Sequence, residues 1–158
     1  MMSGGTSIDG YLPEYMDEAL ACARQASSQG DVPVGAIIIK DGEIIARAHN
    51  QKEQTGDVTA HAEVLVIKQA VSVLGDWRLN ECMMVSTLEP CPMCAGTLLQ
   101  ARLGSLVYGA LDHKWGAHQT KMDVVGSSQF NHQVACHFLP DSRCSQILTD
   151  FFKGLRQA

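Results

Sequence analysis

The sequence predicts an α/β protein, a three-layer α/β/α sandwich around a mixed five-stranded sheet. Patterns typical of helices and of strands alternate along the chain, which favours helices layered on a sheet. With 158 residues, 46% of them hydrophobic and 18% charged, the chain can bury one core but is short for two. We therefore expect one domain over residues 13–158, after a disordered or tag-like segment over residues 1–12.

The hydrophobic pattern defines the individual elements. Pro13 suits the first turn of a helix because its missing N–H is not needed there, and Gly30 ends that helix. Asp41 and Gly42 separate two apolar runs, which is typical of a β-hairpin, and Asp141 can cap the last helix. In chain order, we predict helix 13–29, strands 34–40 and 43–48, helix 60–74, strand 82–88, helix 92–101, strand 103–110, a long functional loop with some helix over 111–131, strand 132–139 and a helix after residue 141.

The charge is acidic in total but unevenly distributed. The formal net charge of −5 argues by itself against a nucleic-acid partner, because phosphate binding usually needs a basic surface. Residues 1–101 carry 13 acidic and 6 basic side chains, whereas residues 102–158 carry 4 and 6. The last 57 residues can therefore offer local positive charge to a polynucleotide.

The sequence predicts neither a secretory leader nor a membrane span. Its first residues lack the basic and apolar regions of a signal peptide, and no segment is apolar enough to span a membrane. We expect a cytoplasmic protein, in which the six cysteines stay reduced. The four cysteines outside the Cys-x-x-Cys pair are expected to be small buried hydrophobic residues, namely Cys22, Cys82, Cys136 and Cys144.

Two short motifs predict a catalytic metal site. His61 and the Cys-x-x-Cys pair of Cys91 and Cys94 each lie at the start of a predicted helix. Catalytic zinc usually takes three protein ligands and leaves a fourth position for water, and a helix N-terminus favours the thiolate form of cysteine. Glu63 is two residues from His61, so it can reach a metal-bound water without ligating the metal. This set suits hydrolytic attack on an electron-poor carbon.

Two other interpretations of the cysteine pair are weaker. A redox pair is disfavoured because no thioredoxin-like pattern surrounds Cys91 and Cys94. A structural zinc site could use His113 and His118, but the 18-residue gap after Cys94 is longer than in zinc fingers. A structural zinc also gives no reason for Glu63.

The motif spacing resembles that of the zinc-dependent nucleoside and nucleobase deaminases. In that superfamily, His-x-Glu is followed by Pro-Cys-x-x-Cys, and here 26 residues separate Glu63 from Pro90. Further segments resemble the bacterial tRNA-specific adenosine deaminases in particular, over about residues 13–156. They are 32–36, 49–50, 59–63, 87–96, 108–110, 112–116, 122–123, 131–132 and 150–156.

The resemblance implies a fold, a reaction and a set of site residues. The fold would be cytidine-deaminase-like, with a single zinc deaminase domain over residues 13–158 that acts as a homodimer with one zinc ion per subunit. The reaction would convert the wobble adenosine of an arginine tRNA to inosine and release ammonia. The implied zinc ligands are His61, Cys91 and Cys94, with Glu63 as the proton shuttle. The implied substrate contacts are Asn50 to the flipped base, pocket walls from Val34, Leu88 and Pro90, and anticodon-loop contacts from Phe152, Lys153 and Arg156.

Several alternatives stay open from the sequence. Asn50 could simply end the hairpin, since Asn is a good turn residue, and apolar strand residues such as Val34 and Leu88 pack in cores by default. A deaminase of free guanine, cytosine or a nucleoside would share every catalytic residue. A non-catalytic, zinc-stabilised RNA-binding module is a third hypothesis, and it should tolerate Glu63→Ala.

Three positions depart from the family pattern. Trp115 is bulky, His118 replaces a small residue, and Val58 stands where the family usually has Pro. These changes affect loops expected to contact RNA and leave the metal motif intact. With few basic residues beside the pocket, we expect a small RNA footprint and only modest salt dependence.

Overall fold

The computed structural model describes residues 8–157 and contains the predicted helices and strands. The helices are α1 (Pro13–Ser28), α2 (Lys52–Thr55), α3 (Ala62–Leu74), α4 (Pro92–Gln100) and α5 (Ser142–Gln157). The strands are β1 (Gly35–Lys40), β2 (Glu43–His49), β3 (Cys82–Ser86), β4 (Ser105–Tyr108) and β5 (Ala135–Phe138). Only α2, one turn inside the loop expected after residue 50, was not predicted.

The five strands form one mixed sheet, as predicted, and the structure gives their order as β2-β1-β3-β4-β5. β1 pairs antiparallel with β2 and β3, while β3, β4 and β5 run parallel. The register places His49 opposite Gly35 and Ser86 opposite both Ala36 and Tyr108. The carboxyl ends of β2, β3 and β4 therefore meet at one edge of the sheet.

Hydrophobic cores lie on both faces of the sheet, which confirms the three-layer architecture. Ala36 and Ile38 of β1 belong to a core covered by α3 and α4. Ile37 and Ile39, which point to the opposite face, belong to a core covered by α1 and the start of α5. Alternate side chains of β1 thus pack against the helix layers on opposite faces of the sheet.

A glycine lets α1 approach the sheet closely. A Cβ atom on Gly35 would lie 2.1 Å from the carbonyl oxygen of Ala19. Only glycine fits there without moving the helix backbone. Asp141 caps α5 as expected, because its carboxylate accepts the N–H of Arg143 at 3.0 Å.

Part of the segment 1–12, which the sequence predicts to be disordered or tag-like, can be described. Residues 1–7 of this segment lie outside the described residues. In the remainder, Ile8 and Tyr11 pack against the α1 side of the core. Tyr11 N–H also donates to the carbonyl of Ile8 at 3.0 Å.

Two further expectations need correction or refinement. Residues 111–131 form turns and contain no helix, in contrast to the prediction. Several backbone N–H groups of this loop donate to a buried carboxylate instead of to carbonyls one turn earlier. Cys22, Cys82 and Cys144 are buried as predicted, while Cys136 is only partly buried against the core.

Within residues 8–157, none of the helices combines the length and the apolar character needed to cross a membrane.

Candidate active site

The predicted metal ligands converge at the edge of the sheet where β2, β3 and β4 end. His61 and Cys91 are the N-cap residues of α3 and α4, and Cys94 lies in the first turn of α4. The Nδ1 atom of His61 lies 3.6 Å from Cys91 Sγ and 3.5 Å from Cys94 Sγ. The three ligand atoms all lie within 4.8 Å of one another.

These distances fit a tetrahedral metal ion. With Zn–N and Zn–S bonds of about 2.0 and 2.3 Å, a tetrahedral site separates a nitrogen and a sulfur ligand by about 3.5 Å. The chain thus presents a donor set whose spacing and chemistry fit zinc, with the fourth position left free of a protein ligand among the described residues.

The two thiols of the site titrate as a pair. The hydrogen bond from the Cys94 thiol, together with His61, lowers the pKa of Cys91 to about 4. The same hydrogen bond to Cys91 and burial raise the pKa of Cys94. A divalent cation would hold both sulfurs as thiolates, so metal binding would release a proton.

Glu63 is buried beside the ligands. Its side chain is 3% exposed and lies in the first turn of α3. Burial raises the pKa of Glu63 to about 7. A carboxyl group with this pKa can accept a proton at neutral pH and return it later, which is what general acid–base catalysis requires.

Asn50 holds the start of α3 and also offers a hydrogen-bond donor. Its Oδ1 atom accepts the N–H of Ala62, between His61 and Glu63, at 2.8 Å. Its own N–H donates to the carbonyl of Val34 at 3.1 Å. Among the described residues, every buried side-chain nitrogen has a hydrogen-bond partner. The Nδ2 group of Asn50 makes no hydrogen bond with these residues, so it must be accessible to solvent. Asn50 is therefore more than the residue that ends the hairpin.

The remaining predicted substrate contacts divide into two groups. Val34 and Pro90 are buried and Leu88 is half-buried. Val34 is joined to Asn50 by a backbone hydrogen bond, and Leu88 and Pro90 lie within three residues of Cys91 in sequence. In contrast, the predicted anticodon-loop residues are exposed on the last turns of α5, which packs against α1; they are Phe152, Lys153 and Arg156. No described hydrogen bond or ion pair connects these three residues to the metal ligands.

A buried carboxylate next to the site was missed by sequence reasoning. Glu89 is 1% exposed and directly precedes Pro90 and Cys91. Its carboxylate accepts the Thr120 hydroxyl and four backbone N–H groups, from Asp112 at 3.1 Å, His118 at 3.0 Å, Gln119 at 2.9 Å and Thr120 at 3.1 Å. Burial alone would raise the pKa of Glu89, but these donors outweigh it and leave the pKa lowered.

Glu89 thereby joins the loop over 111–120 to the loop that carries the cysteine ligands. A Cβ atom on Gly116 would lie 2.5 Å from the Glu89 carboxyl, so the two loops are in tight contact. Ala117 N–H also donates to the Pro90 carbonyl at 2.8 Å. In the sequence, Glu89 stands between an apolar strand and a metal ligand. That position alone indicates only that the strand has ended.

We expect Glu89→Gln to lower the free energy of unfolding by about 2–3 kcal/mol, because the amide group would face N–H donors that lose their acceptor. The measurement is the urea midpoint at pH 7, with the exposed Glu81→Gln as the matched control. Since the folded-state pKa is lowered, the wild-type advantage should be complete above the ordinary value of 4.5 and disappear as the pH falls through the folded-state pKa. Equal midpoints for the two variants would contradict this role.

The fold and the site together define a class of protein. On an α/β/α sandwich, the structure combines a His/Cys/Cys group that could hold a metal at two helix N-termini with a buried glutamate beside it. This combination is typical of the hydrolases that deaminate bases. Residues 13–156 match the MafB19-like deaminase family.

Comparison with known proteins defines the family more narrowly. The tRNA-specific adenosine deaminase of Bacillus subtilis is 44% identical over 144 residues, which cover 90% of this chain and 89% of that protein. A solved structure from a study of A-to-I editing by tRNA:A34 deaminases has a TM-score of 0.83 at 38% identity and covers 87% of this chain and 100% of that one. The chain belongs to the family of the tRNA-specific adenosine deaminases, as the motifs predicted.

The same architecture also serves a free-base deaminase. The X-ray structure of guanine deaminase from Bacillus subtilis has a TM-score of 0.61 at 38% identity and covers 64% of this chain and 65% of that one. The fold is thus shared with a deaminase of a different substrate class, and the substrate has to be argued from individual residues.

Proposed function

We propose that this protein hydrolyses the wobble adenosine of a tRNA anticodon, that of an arginine tRNA, to inosine and ammonia. The observation that carries the proposal is the buried Glu63 beside His61, Cys91 and Cys94, in a chain with 44% identity to a tRNA-specific adenosine deaminase. We further propose that the enzyme is a cytoplasmic homodimer.

The proposed cofactor is one zinc ion per subunit. Two thiolates and an imidazole form a soft donor set, which favours zinc over magnesium or calcium. When bound, zinc supplies a water molecule acidified to a pKa of about 7. His61, Cys91 and Cys94 would hold it, and the positive ends of α3 and α4 would stabilise the thiolates.

Glu63 acts as the general base and general acid of the reaction. A new bond forms between the water oxygen and C6 of adenine, and the bond between C6 and the exocyclic nitrogen breaks. Glu63 accepts a proton from the water and delivers it to the departing nitrogen, which leaves as ammonia. Burial favours the protonated form of this carboxyl group, so Glu63 can hold the proton between the two transfers.

Asn50 and the apolar residues around it bind the base. The free Nδ2 group of Asn50 donates to an acceptor of the flipped purine, while its Oδ1 keeps α3 in place. Val34, Leu88 and Pro90 form apolar walls for the ring. A base without a matching acceptor would leave the Asn50 amide unpaired, which strongly disfavours it.

The C-terminal helix would contact the anticodon loop around the flipped base. Phe152, Lys153 and Arg156 are exposed, and together they offer an aromatic ring for stacking and two cations for phosphates. Because few cations are involved, activity should change only modestly between low and physiological salt. A steep loss over that range would argue against so small a footprint.

A substrate panel tests the proposed function. The zinc-loaded protein is incubated with an arginine tRNA anticodon stem-loop, with the same stem-loop carrying guanosine at the wobble position, and with free adenosine, guanine and cytosine. We expect inosine and ammonia only from the first substrate. Turnover of free guanine or cytosine without turnover of the stem-loop would overturn the proposal and support the free-base alternative.

A further inference from the structure

We propose that Trp115 is a stacking platform for an RNA base that flanks the target adenosine. The inference rests on the proposed function, since it requires a polynucleotide substrate. It assigns a role to a side chain that departs from the family pattern and that the catalytic machinery does not use.

The indole of Trp115 is unusually open to solvent. It is 63% exposed, although an aromatic side chain of this size normally buries most of its surface. Unstacked bases in RNA loops are commonly recognised by stacking on such aromatic faces. An exposed tryptophan therefore fits a nucleobase, provided that it is held rigidly and lies beside the active site.

The backbone on both sides of Trp115 is fixed. Before it, the Asp112 carboxylate accepts the N–H groups of Lys114 at 3.0 Å and Trp115 at 3.1 Å. After it, Gly116 is in tight contact with the Glu89 carboxyl, and its N–H donates to the Asp112 carbonyl at 2.9 Å. Because the backbone that carries the indole is already held in place, less conformational entropy is lost when a base stacks on it.

The same contacts join the loop that carries Trp115 to the segment that carries the cysteine ligands. Ala117, two residues further on, donates its N–H to the Pro90 carbonyl at 2.8 Å, and Pro90 directly precedes the ligand Cys91. Since consecutive Cα atoms are about 3.8 Å apart, the Cα of Trp115 lies within about 8 Å of that of Ala117. A nucleotide next to the flipped adenosine is thus the part of the substrate that this loop can meet.

The charge around Trp115 favours RNA over an apolar protein partner. Lys114 is exposed next to it, and none of the ion pairs found within residues 8–157 involves Lys114. A free ammonium group beside an aromatic face is suited to a base and its phosphate together.

The second tryptophan of the chain is a matched control. Trp77 is 49% exposed, and the Arg78 guanidinium lies 4.8 Å from its ring. It follows Gly75, the C-cap of α3, whereas His61 is the N-cap of that helix. The 13 residues of α3 separate the two ends by about 20 Å, so Trp77 is remote from the site.

The chain has only two tryptophans, so each can be observed alone by fluorescence. The zinc-loaded Trp77→Phe variant, which retains Trp115, and the Trp115→Phe variant, which retains Trp77, are titrated with the arginine tRNA anticodon stem-loop. We expect quenching in the first variant and no change in the second. Quenching of neither residue, or of Trp77 alone, would overturn the inference.

Kinetics provide the second measurement. Because base stacking contributes about 1–3 kcal/mol, Trp115→Ala should raise KM for the stem-loop roughly tenfold. The values of kcat and zinc content should stay near wild type, Trp115→Phe should recover most of the loss, and Trp77→Ala should change neither constant. If the wild type deaminates the stem-loop but Trp115→Ala and Trp77→Ala have the same KM for it, only the inference about Trp115 fails. If the wild type neither binds nor deaminates the stem-loop, the proposed function fails with it.

Discussion

Replacing Glu63 with Gln is expected to abolish deamination while the protein still folds, binds its metal and binds the stem-loop. The amide keeps the size of the side chain but cannot accept a proton from water or return one to the departing nitrogen. General acid–base catalysis contributes about 10²–10⁴-fold, and one group performing both transfers should give a loss near the upper end, about 10⁴-fold. The measurement is single-turnover inosine formation at saturating enzyme.

The control for this variant is Glu43→Gln, an exposed glutamate at the start of β2. It should retain full activity, and both variants should contain one zinc ion per subunit. If Glu63→Gln or Glu63→Ala stayed active, the hydrolytic mechanism would be wrong, and a non-catalytic zinc module would become the better description.

The same substitution should stabilise the protein after its metal has been removed. Because the folded-state pKa of Glu63 is raised from 4.5 to about 7, folding favours the protonated acid, so stability is lost as the pH rises through this interval. The loss approaches about 3 kcal/mol above pH 7, on the basis of about 1.4 kcal/mol per pKa unit. In the chelated protein at pH 8, Glu63→Gln should therefore unfold at a higher urea concentration than wild type, and the difference should vanish below pH 4.5. A wild-type advantage at pH 8 would contradict this account.

The metal site was predictable because its determinants are local in sequence. His61 and Glu63 lie at the start of one helix, and Cys91 and Cys94 lie at the start of another. A helix start can be recognised from a polar loop followed by apolar periodicity, so the sequence places each half of the site on its own. The preference for layered α/β packing predicts a sheet between helices, whereas the strand order that brings the two helix starts together is known only from the structure.

The loop over 111–131 was not predictable, because its conformation depends on a distant partner. Its N–H groups bond to Glu89, which is 23 to 31 residues away in sequence. Local propensity suggested some helix, but a buried carboxylate that needs several donors outweighs the small free-energy differences of local propensity. The hydrogen bond from Ala62 to Asn50 is another long-range contact that no local pattern indicates.

The substrate contacts are less predictable from the sequence than the metal ligands and more predictable than the loop over 111–131. Asn50, Val34 and Pro90 border the strand ends at which the metal ligands lie, but their contacts with a base stay predictions. The positions of Phe152 and Arg156 relative to the RNA depend on how the substrate docks, so those two contacts stay predictions.

Replacing Cys94 with Ala is expected to remove the metal and most of the stability that the site contributes. Cys94 is fully buried, and its sulfur lies 3.5 Å from His61 Nδ1, so no other described side chain can take its place. Two remaining ligands bind zinc far more weakly than three, and the unpaired polar groups left behind destabilise the fold. Zinc content should fall from one ion per subunit to near zero, and activity should fall below detection.

The control is Cys22→Ala, which removes a buried thiol from α1 on the opposite face of the sheet. It should keep its zinc and its activity, with only the small destabilisation of a lost buried atom. Metal removal from the wild type by a chelator should reproduce the Cys94→Ala melting temperature, whereas Cys94→Ala itself should not respond to the chelator. If Cys94→Ala lost activity but retained one zinc ion per subunit, Cys94 would not be a zinc ligand. The fourth position would then not be the only one at which the metal is open to water.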